Sequence, residues 1–194
     1  MHKNLTKEPQ SSFLSCEKDT ELILKKLFID ERPHSDILKK LLVIPEKDCL
    51  TTGANSVIYN EKINKMQVSD LRKQGYIKLE PKLKFNEHEE IKSYLLLSFD
   101  NFSTNATNPQ FRDYTVSFDI ICHTDCWDVS NYALRPLKIA GYIDGLLNNT
   151  KLTGIGEFHF LSCNELLLNE HLSGYTLSFR AVHGSDDTIP PEGE

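Results

Sequence analysis

Hydrophobic and polar residues change rhythm along this chain, and the rhythm predicts its elements. From Asp19 the positions Leu22, Ile23 and Leu27 keep helical spacing, with Asp19 or Thr20 available as an N-cap, until Pro33 interrupts the run. Ser35 to Leu42 repeats the pattern. Ser35 is placed to cap, Ile37, Leu38, Leu41 and Leu42 form one apolar face, and Pro45 stops the turn. Residues Glu46 to Gly75 hold no sustained period and read as a long loop, of the kind that usually binds a neighbour or links two parts.

The second half switches to the strand period. Tyr76 to Glu80 alternates, and Pro81 marks it as a sheet edge; Glu89 to Phe99 is rich enough in large apolar residues for a strand. Asn101 to Pro109 reads as a polar hairpin tip, which makes Phe111 to Cys122 the antiparallel partner. In that strand Tyr114, Val116, Phe118 and Ile120 share the predicted core-facing side, with Cys122 on the same parity. Tyr132 to Leu147 reads as one long helix closed by Asn148-Asn149, and Ile155 to Leu168 with Gly174 to His183 read as a hairpin across Asn169 to Ser173. The expected fold is α+β: a mainly antiparallel sheet of four or more strands, one long covering helix and two short N-terminal helices. It forms a single domain over residues 19–184, between a flexible N-terminal arm (1–18) and a flexible C-terminal tail (185–194).

Composition narrows the function classes. At 194 residues, 39% hydrophobic and 26% charged, the chain suits one polar-surfaced domain with a real core. A net charge of −6 argues against a broad phosphate-binding surface, and the basic pairs Lys25-Lys26 and Lys39-Lys40 read as solvated helix faces. The first twenty residues lack the apolar core of a secretion signal, and no window reaches the roughly 18 apolar residues of a membrane helix, so a soluble protein without a membrane partner is expected. Five cysteines, an odd number without scaffold spacing, imply reduced thiols in the cytoplasm.

One cluster carries the residue types of chemistry, Cys122-His-Thr-Asp-Cys126. Two thiolates and an imidazole could fill three positions of a tetrahedral zinc site, with Cys163, His159 or His183 as fourth ligand. Against this, the alternation points Cys122 inward, where a reduced cysteine packs as a small hydrophobe. Cys126 with His123, Asp125 and Asp128 also supplies the residue types of a nucleophile, base and orienting acid. Thr153-Gly-Ile-Gly156 lacks a following Gly-Lys-Ser/Thr and leads into a strand, so it reads as a tight turn and not a phosphate loop. Trp127, the single tryptophan, either anchors a subunit interface or packs over the helix start. Arg135 either begins the helix, where Pro136 is tolerated in the first turn, or pairs with Asp128.

Phe111 to Trp127, the Leu134 to Leu147 helix and the Gly174 to Arg180 strand together resemble, in layout, the neck and tail-completion proteins of tailed bacteriophages, closest to the tail terminator type. The resemblance covers roughly the last hundred residues and accommodates the amphipathic helices at Glu21 to Leu42. It implies a structural virion protein: a ring of identical subunits, six or twelve, at the head-tail junction or the end of the tail tube, assembled in the host cytoplasm. Its partners would be copies of itself and other phage neck, connector or tail-tube proteins, with DNA only as passing cargo. No enzyme activity, cofactor or metal is implied, and an acidic chain suits a channel that must not hold phosphates. The expected subunit or partner contacts are Phe102, Asn105, Phe111, Arg112 and Trp127. The alternative is a small thiol- or zinc-dependent cytoplasmic enzyme using Cys122, His123 and Cys126.

Overall fold

The computed structural model describes residue 13 and residues 16–50, 61–80, 83, 90–106, 111–152 and 154–183. The protein is α+β. Its elements in order are α1 (Cys16–Lys25), running on into a π-helical turn (Lys26–Asp30), α2 (His34–Val43), α3 (Val68–Lys73), β1 (Ile77–Lys78), β2 (Ser93–Thr104) and β3 (Arg112–His123). Then follow β4 (Asp128–Ser130), β5 (Ala133–Leu134), α4 (Arg135–Leu147), β6 (Lys151–Leu152), β7 (Ile155–Glu157), β8 (His159–Leu167) and β9 (Leu172–His183). The main sheet is mixed, in the order β1-β2-β3-β9-β7-β6, with β8 also paired to β9; β1 runs parallel to β2 and every other pair is antiparallel.

The period-2 pattern of β3 lands as the alternation predicts. Tyr114, Val116, Phe118, Ile120 and Cys122 are all buried on the face that also collects Leu95 and Leu97 of β2 and Leu177 and Phe179 of β9. Helices α1, α2 and α4 pack on that same face, so the cover is a layer of several short helices and not one long helix with two appendages. The reason is burial: Ile23, Leu24, Leu27, Phe28, Leu38, Leu41 and Leu42 each gain about 1.5–3 kcal/mol by leaving water, and the sheet face is the largest apolar surface available. Among the described residues the opposite face carries a small buried cluster of Tyr94, Leu96, Ile121 and Leu172, with Leu83 and Leu166 packed against it, beside polar cross-strand pairs such as Ser117 with Ser178 and Thr176 with Asp119.

Several sequence expectations shift. Helix α1 begins at Cys16, inside the expected arm; Asp19 is buried within its first turn, and Thr20 donates to the Cys16 carbonyl at 2.7 Å, so neither caps. In α2 Pro33 takes the N-cap position, and the buried Ser35 hydroxyl has no hydrogen-bond partner. The expected loop from Glu46 to Gly75 contains a helical turn at residues 61–64 and all of α3. A capping box, with Gln67 N–H donating to the Asp70 carboxylate, opens α3; Gly75 at φ 76° closes it, as Tyr76 N–H reaches back to the Leu71 carbonyl. Residues 51–60 of that segment lie outside the described residues.

Strand β2 runs through Asn101-Phe-Ser-Thr104, part of the expected polar tip, by absorbing a bulge between Asp100 and Ser103 where Asn101 adopts φ 54°. Residues 107–110 of the tip, the first twelve residues and residues 184–194 lie outside the described residues. Helix α4 starts at Arg135, not Tyr132, because Ala133–Leu134 is taken by the small β4–β5 pairing and Pro136 fits the first turn. It ends as read, at Asn148 and the left-handed Asn149, and Thr150 donates to the end carbonyls of Leu146 and Leu147.

Candidate functional site

The residues singled out by sequence fall at three places. At the far end of β2 and β3, Phe102, Asn105, Phe111 and Arg112 come together. Phe102 stacks on Tyr114 with ring centroids 5.5 Å apart and also meets Phe13 at 4.9 Å. Asn105 donates its backbone N–H to the Phe111 carbonyl at 3.1 Å, and its side-chain amide donates to Asp113 at 2.6 Å. That amide, and Arg180 at 2.6 Å, hold the Asp113 carboxyl below its ordinary range. Arg112 donates to the Thr104 hydroxyl at 3.3 Å. All four are half-buried, so they first serve to close the strand pair.

At the other end of β3 lies the Cys-His-Cys cluster, and its groups are engaged with the fold. The Cys126 thiol donates to the His123 carbonyl at 3.3 Å and lies 3.7 Å from the Ser93 hydroxyl. His123 is buried; its Nδ1 accepts the Asp125 N–H at 3.1 Å, and its ring stacks on His171 with centroids 5.5 Å apart and planes 3° from parallel. Thr124 N–H donates to the His171 carbonyl at 2.8 Å, so the cluster ties the end of β3 to the β8–β9 turn. Burial pushes the Cys122 thiol up to about 12 and raises Cys126 as well, the reverse of what a nucleophile or a metal-binding thiolate needs. The residues proposed as fourth ligand are elsewhere: Cys163 and His159 on β8, beyond β9, and His183 paired with Arg112 at the opposite end of β3. Among the described residues no group of three or more His, Cys, Asp or Glu side chains gathers in a metal-holding arrangement. None of the five cysteines is in a disulfide.

Trp127 is half-buried against the core just before α4, and its carbonyl accepts the Arg135 N–H at 2.7 Å, so it packs over the helix start. Arg135 opens the helix but does not pair with Asp128, whose carboxylate lies 3.6 Å from Lys47. Instead the fully buried guanidinium donates five hydrogen bonds to backbone carbonyls: Nε to Cys126 at 2.5 Å, and the two terminal nitrogens to Leu41, Ile44, Pro45 and Glu46 at 2.6 to 2.9 Å. Pro45 explains the demand. It has no N–H to give the Leu41 carbonyl, so the C-terminal end of α2 is short of donors, and an arginine fork supplies them where the helix dipole is negative. Lys39, expected on a solvated face, is also buried; its ammonium donates to the Asn64 carbonyl at 3.0 Å, and burial pushes its pKa down. Only the Pro45 position hinted at the arginine clamp, and nothing in the local pattern hinted at Lys39.

One further place was not singled out by sequence. Strand β8 is accessible on both faces and pairs on one side only, with β9. Phe160, Leu161, Leu167 and Leu168 are 47%, 50%, 72% and 43% exposed, the densest run of exposed large apolar residues in the described chain. An edge of this kind is a template for another strand. No helix among the described residues is long and apolar enough to cross a membrane.

A family model, YomW, matches residues 35–181, from α2 to β9. Its name is of a phage type, which supports a phage protein and goes no further toward a tail terminator. No curated protein and no solved structure matches the chain.

Proposed function

The chain belongs to the YomW family, and from that premise we propose that it is a structural virion protein that assembles with copies of itself into a ring at the phage head-tail junction or the end of the tail tube. The observation that carries this reading is the division of labour in the fold. The groups of the one chemistry-bearing cluster are spent on the fold, the Cys122 and Cys126 thiols buried, the buried His123 ring stacked on His171 and the buried Arg135 bound to carbonyls, while an apolar strand edge is left facing outward. A surface of that kind contributes by association, not by turnover. The cluster of Phe102, Asn105, Phe111 and Arg112 at the far end of the sheet, and Trp127 near the start of α4, are the further contacts proposed for neighbours in the ring. The enzyme alternative finds no support in the geometry, because the Cys126 thiol and the His123 Nδ1 each satisfy a backbone group of the same turn.

Negative-stain electron microscopy of the purified protein tests the reading. Annular particles with a central channel are expected, and a field of small compact particles without a channel at high protein concentration would overturn it.

A further inference from the structure

Two unlike surfaces stand at opposite ends of the main sheet. At one end, beside β1, lies an open groove of about 570 Å³ between α1 and α3, with Ile29, Val68 and Leu79 in its apolar lining. Four charged side chains border it, Glu17, Glu21 and Lys25 from α1 and Arg72 from α3. Among the described residues none of the four makes an ion pair. At the other end of the sheet β8 pairs with β9 alone.

The pairing decides what β8 offers on each face, because residues directly opposite one another share a side of the sheet. Cys163, Glu165 and Leu167 lie opposite Leu177, Tyr175 and Ser173, and Leu177 belongs to the core beneath the helices. The register shift between Phe160 and Ser162 leaves Phe160, opposite Phe179, on that helix side as well. Ser162, Asn164 and Leu166 turn to the other side, where Leu166 packs against the small cluster of Tyr94, Leu96, Ile121 and Leu172. Leu167, 72% exposed, and the exposed Glu165 therefore project together from the helix side of β8, two residues apart. Glu165 likewise has no ion pair among the described residues.

We propose that these two surfaces join successive copies of this chain head to tail, with Leu167 of one copy entering the α1–α3 groove of the next and Glu165 pairing there with Lys25 and Arg72. Each surface lacks what the other supplies. The groove has an apolar lining and two cations without a counter-charge; the strand has an apolar side chain and an anion without one. Copies of a chain with net charge −6 repel each other at long range, so a local match of opposite charge selects this approach over others. Glu17 and Lys25 stand about 12 Å apart along α1, at 1.5 Å per residue, so the groove is acidic towards one end of that helix and basic towards the other, which orients the entering strand. Because the contact joins two different patches it repeats from copy to copy, closing into a ring if the rotation closes and growing as a filament if it does not. It rests on the reading of the chain as a self-assembling ring subunit and names the surfaces that join it.

The test uses the full chain in a Cys16→Ser, Cys163→Ser background, treated with a short bismaleimide. Chains carrying both Ser69→Cys, on the groove, and Leu168→Cys, beside the entering leucine, should give a ladder of linked dimers, trimers and higher species. Either cysteine alone should stay unlinked. Glu165→Arg, and separately Lys25→Glu with Arg72→Glu, should lose the assembled species at fixed concentration with the circular dichroism spectrum unchanged, and combining all three substitutions should restore it. A linked dimer from either single-cysteine variant, or charge reversals that leave assembly intact, overturns the contact. An assembled parent that gives no ladder refutes this contact and spares the ring, whereas linked chains that grow without closing support the contact and refute the ring. A parent that stays monomeric at every concentration refutes both.

Discussion

Replacing Arg135 with methionine keeps the unbranched stem as far as the Nε position, removes five donors and leaves the carbonyls they served. Three of the five, those of Leu41, Ile44 and Cys126, are reached inside the core, whereas those of Pro45 and Glu46 lie nearer the surface, where water replaces the lost donor. Each buried carbonyl left without a donor costs about 1–3 kcal/mol, and removing one partner of a buried charged arrangement typically costs about 3–5 kcal/mol. Methionine recovers part of this by sparing the desolvation of a charge, so a net loss of about 3–5 kcal/mol is expected. Against a total stability of about 5–15 kcal/mol that is a large share. In a domain of this size each kcal/mol moves Tm by about 2–4 °C, so Tm should fall by roughly 6–20 °C. Arg135→Lys should fall between, because an ammonium has three donors for five acceptors and no planar fork. Thermal and urea unfolding followed by circular dichroism provide the measurement. An Arg135→Met protein within about 1 kcal/mol of the parent would refute the argument that this side chain ends α2.

Three other outcomes follow from the same geometry. Cys122 ionises near 12 when folded against an ordinary 9.0, so its contribution to stability is complete below pH 9 and falls as pH rises from 9 towards 12, by about 1.4 kcal/mol per pH unit for the one thiol; Cys122→Ala should flatten that slope in urea titrations. Native protein treated with a thiol reagent at neutral pH should leave Cys49, Cys122 and Cys126 unmodified until it is unfolded, and rapid native modification of Cys126 would return the thiol-enzyme alternative to favour. Gly174→Ala should prevent folding, since an added Cβ would sit 1.7 Å from the Ile120 carbonyl oxygen between two paired strands; soluble expression with an unchanged Tm would contradict the β3–β9 register.

Parts of the fold with sustained periods were legible in the chain. The alternation of β3 emerges with the expected side facing in, because it buries a long regular stripe, and the helix closing at Asn148-Asn149 and the hairpin across Asn169 to Ser173 are present as read, although the expected Ile155 to Leu168 strand is broken at Phe158 into β7 and β8. Short elements were hidden. Helix α3 has six residues, too few for a helical period to show, and is set by its caps at Gln67 and Gly75. The extension of β2 through Asn101 depends on pairing with β3, which overrides the turn preference of Asn and Ser. At the site, the inward parity of Cys122 was readable, but the fate of Arg135 and Lys39 was not, since each is held by carbonyls from a segment distant in sequence. Exposure of β8 was equally hidden: Phe160, Leu161 and Leu167 look like core residues until the fold leaves them at an edge.

The most direct measurement is the solution mass of the purified protein by light scattering across a range of concentration, with a native mass spectrum for the subunit count. A closed assembly of six or twelve chains is expected. A species of one chain mass at every concentration would contradict the account.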